Sequence, residues 1–265
     1  MTATALGRRR EPAGVTAAVA AEWVKLWSVR STWWSLAATA VLTVGYVLMV
    51  SVSASASRAN GIDVPPMTPI DVAAGGVFMM GQLGLATLAA LTMAGEYATG
   101  SILSTLQQVP RRGRLLLAKC LVVAPVLFVA GTAVTLLGTL AGIPSLKEVA
   151  GPWSFAEVVT SSIAIGGYSA VVGVIAIGIA AMLRSVAGTL GCVFLLQLIL
   201  PMALESTGVE FLMTASEYFP GTAGMALLGA EGPVYSEITA VTILIGWAAA
   251  AWAGGVTVLR WRDAA

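Results

Sequence analysis

The 265-residue chain is 58% hydrophobic and 10% charged, with a mean hydropathy of +0.89, which excludes an ordinary water-soluble domain. Its formal net charge of +1 excludes a nucleic-acid binder, because neutralising phosphates needs a concentrated cationic face. There is no histidine, which removes Ser-His, Cys-His and zinc-histidine chemistry, and Cys120 and Cys192 sit at or inside apolar segments without metal-ligand spacing.

In chain order, residues 1–14 carry Arg8, Arg9 and Arg10 followed by Glu11 and Pro12. They lack the apolar run that follows the arginines of a signal peptide, and they read as a cytoplasmic tail. Residues 15–32 read as an interfacial connecting helix. Val15, Val19, Trp23, Leu26 and Trp27 recur at helical spacing on one side, Glu22, Lys25 and Arg30 supply polar positions, and Trp33 and Trp34 mark the headgroup level. Residues 33–265 read as a single all-α, polytopic transmembrane domain. Six apolar stretches reach the roughly 20 residues needed to cross a hydrocarbon core of about 30 Å. They lie near 33–53, 73–94, 116–142, 158–183, 187–204 and 238–259. The fifth is short and carries Gln197 and Pro201, which makes it a candidate for a broken or re-entrant segment.

With both termini inside, Arg8 to Arg10, Lys25, Arg30, Arg111, Arg112, Arg114, Lys119, Arg184, Arg260 and Arg262 are cytoplasmic, and only Arg58 and Lys147 are outside. That asymmetry satisfies the positive-inside rule for six spans and breaks if one is added or removed. No span contains an aspartate, and Glu157 and Glu237 sit at outer helix ends, so no midplane carboxylate of a proteolytic or ion-coupled site is expected. Gly138 and Gly142, with Gly166, Ser169, Gly173 and Ala176, supply the small residues on which helices associate in lipid. Gln82, Tyr168 and Gln197 are the most polar large side chains inside spans; they either line a substrate path or hydrogen-bond neighbouring helices.

The cytoplasmic segment from Glu96 to Lys119 is the most informative. Thr99 or Ser101 is placed to cap a short helix, Ile102, Leu103, Leu106 and Val109 form its apolar face, and Pro110 stops it before Arg111 and Arg112. Two to three turns do not stand alone in water, so the helix is expected to dock on the membrane surface or on another protein.

This segment resembles the region after the second span of permease subunits of type 2 ABC transporters. AEWVKLWSVRSTWW, before the first span, and EYFPGTAGMALLG, residues 217–229, resemble the connecting helix and the outer segment between the fifth and sixth spans of the same family. The resemblance implies a membrane half-transporter of a bacterial plasma membrane, a multi-pass exporter subunit moving an amphipathic or hydrophobic substrate. It implies a coupling surface of Glu96, Tyr97, Gly100, Ser101, Leu103, Leu106, Pro110, Arg111 and Arg112, gripped by a separate cytoplasmic ATP-binding subunit present in two copies. It also implies a second permease subunit, identical or homologous, and an outer gate at Phe219 and Pro220. The chain has no GxxxxGK[ST] loop, so it is expected to be no enzyme and to hold no cofactor or metal, with ATP and magnesium on the partner. An ATP-independent carrier or channel, or a non-transporting membrane scaffold or immunity protein, is the alternative.

Overall fold

The computed structural model describes residues 14–109, 111–227 and 235–261. Ten helices are named here: α1 (Val15–Ser28), α2 (Arg30–Ala59), α3 (Pro69–Ala98), α4 (Ile102–Gln108), α5 (Arg112–Leu146), α6 (Phe155–Leu183), α7 (Val186–Glu205), α8 (Glu210–Glu217), α9 (Pro220–Leu227) and α10 (Glu237–Trp261). Six of them, α2, α3, α5, α6, α7 and α10, are long and apolar enough to cross a bilayer, and the protein is an all-α, multi-pass membrane protein. Every span runs beyond the apolar stretch expected for it, and at some starts a side-chain cap fixes the polar end of the helix. Thr68 caps α3 by accepting from the Asp71 N–H, and Ser154 and Glu157 form a reciprocal capping box at the start of α6.

Helix α6 is the centre of the bundle, packed against α5, α10, α3 and α7. Small residues set these approaches. Gly131 on α5 faces Gly166 and Ser169 on α6, where an added Cβ would overlap the serine side chain. Gly178 on α6 lies against the Ala251 backbone of α10 in the same way. Gly138 and Gly142 on α5 seat against Val47 of α2, with Ala73 and Pro69 of α3 beside them. In contrast to α3 and α6, whose apolar cores are 67% buried, those of α7 and α10 are only 22% buried and leave broad apolar faces uncovered by the rest of the described chain.

The two ends of the bundle differ. One gathers α1, α4, the start of α5 and the ends of α6 and α10: Arg112 donates to the Leu259 carbonyl, and the Arg184 guanidinium lies 4.8 Å from the Tyr97 ring centroid. The other holds the Ser55 hydroxyl on the Ser145 and Leu146 carbonyls, the Met67–Ala150 bridge, and the helix pair α8–α9.

Three expectations change. Helix α1 turns Ala18, Glu22 and Leu26 inward, so Glu22 is a buried position, while Trp23 is exposed. The fifth span is continuous: α7 passes from Val186 to Glu205 through a widened π turn at Leu195–Ile199. Pro201 lacks an N–H, so the Gln197 carbonyl four residues back has no ordinary helical donor, and the wider turn accommodates it; the Leu200 N–H instead reaches Leu195, five residues back. Lys119, expected among the cytoplasmic charges, lies inside α5 with its side chain 1% exposed.

Candidate functional site

Two places concentrate polar chemistry. The first is at the basic end, where α1, α3, α4 and α5 meet. The Lys119 ammonium donates at 2.7 Å to Glu22 Oε2, to Glu96 Oε1 and to the Thr92 carbonyl. Lys25 donates to Glu22 Oε1 at 3.0 Å, and to Glu96 Oε1 and Thr105 Oγ1 at 3.1 Å each. Two ammonium groups thus find two carboxylates in a network of no net formal charge, the form in which buried charge is tolerated at a membrane boundary, with Glu96 Oε2 alone of its carboxylate oxygens buried without a partner. Burial on its own would lower the Lys25 ammonium, but the Glu22 and Glu96 carboxylates outweigh it and hold the group above the ordinary lysine value.

This network fixes α4. Its edge of Ile102, Thr105 and Val109 is buried on its own chain, Leu106 is half-buried, and Leu103 is 54% exposed. The expected apolar face therefore splits: Ile102 and Val109 are buried in the core of the bundle and Leu106 packs partly against it, while Leu103 points outward. The expected cap is absent as well, since Ser101 has helical backbone angles and makes no side-chain bond to the first turn, its hydroxyl instead meeting Thr99 Oγ1 at 2.9 Å. Gly100, with φ of +71°, makes the turn that separates α4 from α3. Of the other expected coupling residues, Glu96 is spent inward on the lysines, Tyr97 on Arg184 and Arg112 on α10, while Arg111 is exposed; Pro110 lies outside the described residues.

The second place is near the middle of the membrane and opens toward the other end. The Tyr168 hydroxyl lies 3.2 Å from Gln82 Oε1 and 3.1 Å from Gln197 Oε1, all three side chains are buried, and the Tyr168 ring stacks on Phe78 at 5.9 Å. A phenol has one hydrogen and serves one acceptor; turning one amide over lets its nitrogen donate to the phenol oxygen instead. In either orientation Gln197 keeps one amide atom without a partner, the position held by Nε2.

Above this trio is a cavity of about 550 Å³, bounded by the two π turns of the spans, Val77–Gly81 on α3 and Leu195–Ile199 on α7. Phe78, Met79, Gln197 and Leu198 from these turns form its inner wall. Helix α9 closes one side: Gly221 sits flush on the freed Gln197 carbonyl and Gly224 on the Tyr168 ring, where a Cβ at either position would collide. Pro220 is buried at the start of α9, and Phe219 packs on Trp247 at 5.8 Å, so the expected gate residues anchor α9 and do not line the cavity. Tyr235 ties the outer pair to α10 by donating to the Glu217 carbonyl at 2.7 Å; burial first, and the Glu217 carboxylate second, push its phenol up to about 12.

Glu22 and Lys119 are the residues missed as a pair. A lysine inside an apolar run and a glutamate on an amphipathic helix 97 positions away are each a signal of buried charge, but only folding pairs them. Likewise, Gln82, Tyr168 and Gln197 stood out singly, whereas their convergence and the methionines around them did not.

No protein-family model matches the chain, and no curated protein matches it. The fold and composition define its class, a six-span membrane protein with a short helix between its second and third spans and a helix pair between its fifth and sixth.

Proposed function

We propose that this chain is the membrane-spanning subunit of an ATP-driven exporter of the type 2 ABC class, working with a separate ATP-binding subunit. The order of elements supports the reading: a helix before the first span, α4 between the second and third, and α8–α9 between the fifth and sixth follow the layout of those permeases. The excess of Lys and Arg at the end that carries α1 and α4 favours a cytosolic location for it. The observation that carries the proposal is how α4 is held. It is gripped along one edge by the bundle through the Lys25–Thr105 bond and the Ile102 and Val109 contacts, and it presents Leu103 outward. A short helix fixed in this way transmits a push from a partner to α1, α3 and α5 together, because Lys25 and Lys119 join all three.

The test is co-purification. The tagged chain, expressed in its own host and solubilised in mild detergent, is expected to retain an ATP-hydrolysing subunit, and Leu103→Asp is expected to lose it with the thermal unfolding midpoint unchanged. A wild-type chain that retains no ATPase after cross-linking, or a Leu103→Asp variant that retains it fully, overturns the proposal.

A further inference from the structure

The outer cavity has a composition of its own. Four of the chain's ten methionines, Met79, Met202, Met213 and Met225, line it, with the Phe78 ring at its inner end. Thioethers are flexible and polarisable, and they mould to aromatic shapes that a wall of branched residues rejects. Glu205 and Glu217 stand at its outer rim, and among the described residues no lysine or arginine lines it. At its floor the Gln197 side chain, 2% exposed, keeps one amide atom unpartnered. Helices rarely adopt π turns, and such turns gather at functional sites; here two, on different spans, flank one cavity.

Volume separates the possible ligands. Thioethers also suit soft metal ions, but about 550 Å³ matches a drug-sized organic molecule, not one ion. Charge gives the sign. Two carboxylates, with no cation among the described residues that line the cavity, attract a positive ligand and repel a negative one. We propose that this cavity binds amphipathic organic cations, aromatic molecules with one delocalised positive charge, held by the methionines and selected by Glu205 and Glu217. That such cations are also the exported cargo rests on the permease reading above; the binding site does not.

The experiment uses the whole chain in phosphatidylcholine nanodiscs, without any ATPase or nucleotide, and two probes of the same shape and opposite charge, tetraphenylphosphonium and tetraphenylborate. Equilibrium dialysis, corrected with empty nanodiscs, is expected to show saturable tetraphenylphosphonium binding that tetraphenylborate does not displace. Glu205→Gln combined with Glu217→Gln is expected to weaken that binding about tenfold, while Met202→Ala with Met225→Ala weakens it without changing the preference for positive charge. No saturable binding above empty nanodiscs, equal displacement by tetraphenylborate, or unchanged affinity in the double glutamine variant overturns the proposal. The two readings fail separately: cation binding without a retained ATPase retires the permease alone, and a retained ATPase without cation binding retires the cavity alone.

Discussion

Replacing Lys119 by methionine tests whether the ionic network holds the α1 and α4 assembly together. The lysine ammonium makes three bonds of 2.7 Å, two of them to carboxylates, from a side chain that is 1% exposed. Methionine fills a similar volume but removes all three. Two charge-assisted bonds contribute about 1.5–3 kcal/mol each. The two carboxylate oxygens, each 2.7 Å from one nitrogen, are at most about 5.4 Å apart, and their repulsion at an effective dielectric of 20 is about 3 kcal/mol. Protonation of one carboxylate, and the remaining Lys25 bonds, absorb part of this, so the net loss is about 3–5 kcal/mol, as for other broken buried pairs. For a chain of this length that lowers the unfolding midpoint by about 6–10 °C. The assay is thermal unfolding of the purified protein in mild detergent, followed by tryptophan fluorescence. Adding Glu22→Gln and Glu96→Gln to Lys119→Met removes both uncompensated carboxylates, leaves only the half-exposed Lys25 ammonium, and is expected to recover more than half of the loss. A fall of less than about 2 °C for Lys119→Met, or a triple variant no more stable than the single one, refutes the reasoning.

Tyr168→Phe keeps the ring on Phe78 and removes the hydroxyl, leaving Gln82 and Gln197 without their shared partner; a loss of about 1–3 kcal/mol is expected in the same thermal assay. Gly221→Ala places a Cβ on the Gln197 carbonyl, so it is expected to lift α9, at a cost of about 1–3 kcal/mol, and to speed hydrogen exchange in α8 and α9 while leaving α5 and α6 protected. Lys25 gives a pH prediction. Its value is raised above 10.5 by Glu22 and Glu96, so its contribution to α1 docking is complete below pH 10.5 and is lost only as pH rises through the raised value. A dye on Trp23→Cys, in a background lacking Cys120 and Cys192, should report constant docking from about pH 6 to 9 and release only above about 10.5; release near neutral pH would contradict the assignment.

Much of this architecture is a local property. Runs of apolar residues long enough to cross hydrocarbon, bounded by Thr68, Ser154 and the basic residues, dictate six helices wherever they are placed, because a lipid environment leaves the backbone no other way to satisfy its hydrogen bonds. The break at Gly100, the helix from Ile102 and the segment resembling an outer loop are local too, and Gln82, Tyr168 and Gln197 were visible as polar residues in the wrong solvent. Partnership is different, because it depends on which helices become neighbours. Nothing in the spacing of Glu22, Glu96 and Lys119 says that they meet, so Glu22, one of the polar positions expected of α1, lies on its buried edge, and α4 spent most of its apolar face on its own chain. Pro201 announces a disturbed helix by itself. Only the packed structure decides that the carbonyl it frees is covered by Gly221, that a second π turn lies opposite, and that four methionines and two carboxylates from separate elements surround the same space.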